Sequence, residues 1–267
     1  MQSRFEQLSR TRQLRRITPL CFGLVVMGYS LLLPQLQAQQ KGTKPTALPA
    51  NVARQLDQTM ARAIQFLQTK AQSPDGSYSS QVGPGVTALI TTAVLKHGRQ
   101  SSEPIVAKSL EYLEGFVQPS GGIHQKGTLY RNYETCLAIL CFSAANTDGR
   151  YDKTLQRADA FIKGIQWDDG EGKGKADLAL GGGGYGKHKR PDLSNTNFLV
   201  EALQATGNDQ DSEAIQRALV FISRCQNLES EHNRSPFSTK NPDGGFYYTV
   251  AAGGSSHGIV AVSYSHL

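Results

Sequence analysis

The chain has 267 residues, 39% of them hydrophobic and 19% charged, with a net charge of +6. Arg4, Arg10, Arg12, Arg15 and Arg16 against Glu6 place +4 of that charge in the first 38 residues, which leaves only +2 for the rest. No basic stripe with interleaved aromatics occurs in the body, so the charge balance argues against a nucleic-acid partner. The length admits one large or two modest domains.

Residues 1–38 read as a signal peptide. A basic stretch ends at Arg15-Arg16, an apolar run extends from Leu20 to Leu33, and Leu36-Gln37-Ala38 has the form of a peptidase site. Export to the periplasm or the outside is expected. The other reading is a retained membrane anchor, for which the apolar run falls short of the about 20 residues a span needs. Residues 39–54, beginning with Gln, Lys, Thr, Pro and Ala, read as a flexible linker, and 55–267 as one repeat domain.

Four times the body spells a basic residue, a small one, two variable positions, an aromatic, Leu or Ile, three or four more residues, and Gln. The copies are Arg62-Ala63-Ile64-Gln65-Phe66-Leu67 to Gln72, Lys108-Ser109-Leu110-Glu111-Tyr112-Leu113 to Gln118, Arg157-Ala158-Asp159-Ala160-Phe161-Ile162 to Gln166, and Arg217-Ala218-Leu219-Val220-Phe221-Ile222 to Gln226. A glycine turn ending in a large apolar residue follows each: Gly76-Ser77-Tyr78, Gly121-Gly122-Ile123, Gly183-Gly184-Tyr185 and Gly244-Gly245-Phe246. Such self-similarity marks one supersecondary unit copied along the chain.

In chain order, Thr59 to Thr69 places Met60, Ile64 and Leu67 on one face and predicts an amphipathic outer helix. From Gly85 the run Val86 to Leu95 is apolar on nearly every side, as a helix buried on both faces is. The pattern returns as Ile105 to Phe116 followed by Glu134 to Ala144, and as Lys153 to Ile165 followed by Asn195 to Leu203. Thr87, Thr135 and Thr196 open the three inner helices at matching places. Outer and inner helices repeated about every fifty residues stack into a curved double layer. Cys21 falls in the leader. Cys136, Cys141 and Cys225 read as buried small apolar residues, since the first two lie five apart on a helix and face different ways.

The basic-small-x-x-aromatic-Leu/Ile string ending in Gln and a Gly-x-aromatic turn resembles the QW-type repeat of the prenyltransferase and squalene oxidase/cyclase superfamily. Arg62 through Tyr78 is the cleanest copy, with Tyr where the family prefers Trp. Asp192-Leu193-Ser194-Asn195-Thr196-Asn197-Phe198 resembles the loop that leads into an inner helix in triterpene cyclases. The resemblance spans roughly residues 55 to 250 and implies an all-α fold, an α/α toroid of helical hairpins. It also implies that Gln72, Gln118, Gln166 and Gln226 are structural, tying neighbouring helices together. Such toroids usually close with more hairpins than the four found here, the last of them glycine-rich and β-branched over Gly253 to Leu267. An open or truncated array of about four hairpins is expected, with self-association or a protein partner at its open end.

The chemistry is less determined. The Asp-x-Asp-Asp-Thr acid of squalene-type cyclases has no counterpart. The nearest groups are Asp168 and Asp169, which could share a proton, hold a divalent cation or sit on a solvated turn, and Asp192. Asp75-Gly76-Ser77 and Asp243-Gly244-Gly245 lack the cysteine of a prenyltransferase zinc site, and His124 and His257 stand outside any ligand spacing, so neither metal nor cofactor is expected. The basic glycine run Gly181 to Arg190 lacks the Lys-Ser/Thr ending of a nucleotide loop. Insertions in the third and fourth copies, Trp167 to Gly182 and Asn227 to Asp243, should emerge side by side. Trp167, Tyr185, Phe246, Tyr247 and Tyr248 are then the aromatic candidates for an apolar or sugar-like ligand. Three functions fit: an exported protein binding an isoprenoid or other lipid-like molecule, a scaffold binding a protein or polysaccharide through the inserted loops, and a glycan-cleaving enzyme with two carboxylates across a cleft.

Overall fold

Outer and inner helices alternate along the chain, as the repeat requires. The computed structural model describes residues 48–167, 177–186, 190–234, 238 and 242–250. Among them are seven α-helices: α1 (Ala50–Phe66), α2 (Gly85–Lys96), α3 (Pro104–Glu114), α4 (Arg131–Ala145), α5 (Asp152–Lys163), α6 (Leu193–Ala205) and α7 (Glu213–Cys225). The chain divides into two units, Met1–Leu48 and Pro49–Leu267, and all seven helices belong to the second. The leader and the glycine-rich end over 251–267 lie outside the described residues.

Helix α1 starts at Ala50, inside the stretch read as a linker, and ends in a π-helical turn over Leu67–Ala71. Local chemistry favours the other outer helices. Pro104 at the start of α3 supplies a preset φ and lacks only an N–H that would go unpaired. Helix α5 carries Asp152 in its first turn and Lys163 in its last, and α7 carries Glu213 and Arg224 likewise, each matching the helix dipole.

The inner helices α2, α4 and α6 form one layer, in which α4 packs between the other two. Phe142, Leu137 and Ile139 of α4 are fully or almost fully buried, with Leu199 and Leu203 of α6 beside them. Among the outer helices, each inner helix packs most on the one that follows it, in the pairs α2–α3, α4–α5 and α6–α7. This pairing differs from the outer-then-inner unit of the sequence motif. Its reason is connection length: residues 97–103, 146–151 and 206–212 are short links, whereas the glycine turns span longer stretches.

The motif residues hold one unit to the next. Gly76, Gly121 and Gly181 have φ of +87°, +96° and +83°, and a Cβ on any of them would collide with the backbone carbonyl of Lys108, Arg157 or Arg217. Those three are the basic positions of the following copy, so its small neighbours Ser109, Ala158 and Ala218 are fully buried beneath the turn. The threonines act in the same place. Tyr78, Ile123 and Gly183 donate their backbone N–H to the hydroxyls of Thr87, Thr135 and Thr196 at 2.9, 3.0 and 2.9 Å.

These contacts correct the register of two copies. Gly181, not Gly183, is the counterpart of Gly76 and Gly121, so the third turn is Gly181-Gly182-Gly183 and Tyr185 is not the equivalent of Tyr78. In the second copy Val117 bridges Ile123 as Gln226 bridges Phe246, which puts Val117 in the glutamine position and Gln118 one residue late. The consequence is visible in the amides. Gln72 donates to Ile105 O at 2.8 Å and Gln166 to Ala214 O at 2.9 Å, each reaching the next outer helix, while Gln118 bonds only to Phe116 O and His124 O in its own loop.

Candidate functional site

Asp192 begins α6 as its N-cap. Its Oδ1 accepts the Asn195 backbone N–H at 2.9 Å and its Oδ2 accepts Asn195 Nδ2 at 2.8 Å. An aspartate in extended backbone three residues before the paired amide is what a helix start selects. The segment is fixed from both sides: Asp192 N–H donates to Gly183 O at 3.0 Å and Leu193 N–H to Tyr248 O at 2.8 Å. Thr249 adds a bond to Pro191 O at 3.0 Å.

The same lacing brings Tyr248 to Asp192 and Tyr185. Its phenol lies close to both, and its pKa is pushed well up by partial burial first, then by Tyr185 and the Asp192 charge. Tyr185 is held by its backbone. Its carbonyl accepts the Asn132 N–H at 3.0 Å, while Asn132 Nδ2 donates to Gly184 O at 2.7 Å. This places the Tyr185 ring edge-on to Tyr130, with centroids 5.3 Å apart, and 6.1 Å from Tyr133. Tyr133 in turn meets Phe198 of α6 at 5.4 Å, again edge-to-face.

Tyr130, Tyr133, Tyr185, Phe198 and Tyr248 thus form a continuous aromatic group over the N-terminal ends of α4 and α6, with the Asp192 carboxylate at its margin. None of the five is buried. Partial desolvation of Tyr133, followed by the effect of Tyr185, raises its phenol pKa as well. Edge-to-face rings offer their negative faces to whatever packs on them, which suits flat apolar chains and positive charge.

Of the aromatic residues singled out in the sequence, Tyr185 and Tyr248 join this group. Phe246 packs instead on the small core of Phe221, Cys225 and Val250, and Tyr247 is buried, its N–H bonded to Cys225 O at 2.8 Å. Trp167 closes the third turn through its backbone, donating to Gly182 O and accepting from Gly181. Asp168 and Asp169 lie outside the described residues. The two insertions are adjacent, since Arg224 donates to Asp177 O at 2.7 Å and to His232 O at 3.4 Å. Beside them a cleft of about 250 Å³ is lined by Leu178, Ala179, Pro191, Phe221 and Val250, with Arg190 at its rim.

Glu134 was not singled out in the sequence. It is buried at the start of α4, its oxygens accepting Gln125 N–H at 2.8 Å and Thr128 Oγ1 at 3.0 Å. Burial raises its pKa and the two hydrogen bonds oppose the rise. The signal was present, because a glutamate opening the apolar run Thr135 to Phe142 needs partners from a neighbouring loop. Tyr133 and Phe198 carried no such signal, as aromatics on buried helices are ordinary core. Among the described residues no group of three His, Cys, Asp or Glu could hold a metal ion. Cys136, Cys141 and Cys225 are free and buried, and burial raises all three thiols, Cys141 and Cys225 to about 12.

An all-helical double layer whose Gln, Gly and Thr positions interlock from copy to copy defines a repeat protein of the terpenoid cyclase and prenyltransferase type, an α/α-toroid fold. The chain belongs to the squalene-hopene cyclase C-terminal domain family, whose profile matches residues 80–257, well over half of its length. Against curated proteins it has no match.

Proposed function

We propose that this protein binds an isoprenoid or another lipid-like molecule on the aromatic group formed by Tyr130, Tyr133, Tyr185, Phe198 and Tyr248. The observation that supports this is the chain of ring contacts from Tyr130 to Phe198, left accessible at the N-terminal ends of two inner helices rather than sealed in the core. Apolar chains gain from leaving water onto such a surface, and the ring faces favour positive charge developing on a bound polyene. The half-buried Tyr248 phenol supplies the polar margin that orients a ligand hydroxyl or headgroup, with the buried Asp192 carboxylate behind it. If the protein is an enzyme, chemistry of the terpene cyclase type at this group is the reading that fits the family best, with Asp168, Asp169 and Asp192 as the carboxylates to replace first.

Trp167 is the only tryptophan in the chain, and the third-copy insertion that starts with it makes it a reporter. Titration with farnesol or squalene, followed by Trp167 emission and by equilibrium dialysis, should give saturable binding. Tyr133→Ala together with Phe198→Ala should weaken it at least tenfold, with circular dichroism unchanged. Binding of a soluble polysaccharide instead, with no isoprenoid bound, would replace this reading by the scaffold one.

We propose in addition that the chain is exported with cleavage after Ala38, on the strength of its basic and apolar leader. No helix among the described residues is long and apolar enough to cross a membrane. The mass of the mature protein from a fractionated host tests it: a chain beginning at Gln39 in the exported fraction supports export, and full-length chain in the cytosol refutes it.

A further inference from the structure

The inner layer has two edges, and they differ in chemistry. Aligned on Thr87, Thr135 and Thr196, Leu89 of α2 corresponds to Leu137 of α4 and Phe198 of α6. Each of the latter two packs on the inner helix before it, and the contacts coincide in register. Leu137 lies against Gly85 of α2, and Phe198 lies against Tyr133 of α4, the position that corresponds to Gly85. One turn further on, Cys141 of α4 is buried beside Thr92 of α2, and the α2 counterpart of Cys141 is Ala93.

On α4 this incoming face, Glu134, Leu137, Ala138 and Cys141, is entirely buried. On α2 the same face is Val86, Leu89, Ile90 and Ala93. Leu89 is 48% exposed, Ala93 is exposed, and Val86 and Ile90 are half-buried. The stripe has helical spacing and no charged side chain between Val86 and Ala93. It is shaped to receive one more inner helix that the described residues do not provide.

The opposite edge cannot serve. The outgoing face of α6, in register with Gly85, Ala88, Thr92 and Leu95 of α2, is Ser194, Asn197, Glu201 and Gln204, all exposed and all polar. Asn197 and Glu201 are already bonded to each other at 2.8 Å. A polar terminal face of this kind keeps a repeat array from growing head to tail. An apolar edge facing a polar one gains little, whereas two copies of an uncharged apolar edge complement each other about a two-fold axis.

We infer that the α2 edge is an isologous dimer interface, in which Val86, Leu89, Ile90 and Ala93 of one copy pack on the same residues of a second copy with the two α2 helices antiparallel. The antiparallel arrangement also sets the N-terminal end of each α2 beside the C-terminal end of its partner, which the helix dipoles favour.

Sedimentation equilibrium of the full chain tests this. Wild type should have twice the 29.0 kDa chain mass. Leu89→Glu should return it to the single-chain mass with unchanged circular dichroism, since its side chain already reaches solvent. Asn197→Glu, on the opposite edge, should leave the dimer intact. Leu89→Cys with Cys21→Ser should form an interchain disulfide under mild oxidation, because a two-fold axis brings the two copies of residue 89 together. A wild-type chain that stays monomeric at tens of micromolar would overturn the inference, as would a dimer that Leu89→Glu does not dissociate or that Leu89→Cys does not cross-link.

Discussion

Thr135→Val separates a structural hydroxyl from mere packing. Thr135 is fully buried, and its Oγ1 accepts the Ile123 N–H at 3.0 Å while donating to Arg131 O at 2.6 Å. Valine keeps the shape and removes the only oxygen, so the Ile123 amide is left buried without an acceptor, at a cost of about 1–3 kcal/mol. The Arg131 carbonyl loses its side-chain donor as well, which places the expected loss near the middle of that range, about 2 kcal/mol. With a urea slope of about 2–3 kcal/mol per molar, the unfolding midpoint should fall by roughly 0.7–1 M at constant slope. Thr135→Ser keeps the hydroxyl and deletes one methyl, so it should cost only about 1 kcal/mol. A valine variant within about 0.5 kcal/mol of wild type, or a serine variant less stable than the valine one, would refute the claim that this threonine anchors the glycine turn.

The turn glycines give a paired test. Gly181→Ala meets both an unfavourable φ and the Arg217 carbonyl, so it should lose at least about 3 kcal/mol, or about 6–12 °C in Tm for a domain of this size. Gly98→Ala has a similar φ and open space around it and should lose only about 1–2 kcal/mol, read by the same thermal melts. Glu134 makes a pH prediction. Its folded-state pKa is raised above the ordinary 4.5, so the folded protein binds its proton more tightly than the unfolded chain does. Stability from this group therefore falls as pH rises from about 4.5 through the folded value and stays at its lowest above it. Urea midpoints between pH 4 and 7 should show wild type losing ground relative to Glu134→Gln as pH increases; a difference that grows the other way contradicts the burial of the charge. The thiols of Cys136, Cys141 and Cys225 should react with Ellman's reagent in urea and not in the native protein, since burial holds them neutral.

The helices were legible in the sequence because each states its period plainly. The run from Val86 to Leu95 is apolar all round, and the outer runs are apolar on one side only. Register was harder where the local signal was degenerate. Gly181 to Gly184 offer two choices for the turn, and Tyr185 imitates the aromatic that should end it; only the approach to the Arg217 carbonyl selects Gly181. Gln118 misled for the opposite reason, since a glutamine one residue late still looks like the motif while its amide can no longer reach the next helix. The aromatic group was only partly foreseen. Tyr185 and Tyr248 follow the glycine turns just after the two insertions and so stood out, whereas Tyr133 and Phe198 sit on inner helices, where an aromatic reads as core. Their meeting is set by how α4 and α6 stack, which no single segment of sequence encodes. The helix boundary at Ala50 was missed because Asn51 to Gln58 is polar enough to pass for a linker until Val52 and Leu56 are placed on one face.

The most direct test of the central claim is native mass spectrometry of the purified protein, before and after extraction with organic solvent, for wild type and for the Tyr133→Ala, Phe198→Ala variant. Lipid binding at the aromatic group predicts an extractable apolar adduct on wild type at near one per chain, or its uptake from added farnesol or squalene, and its loss from the variant. A wild-type protein that carries no adduct and takes none up, or a variant that retains it undiminished, would contradict the assignment of that surface as the ligand site.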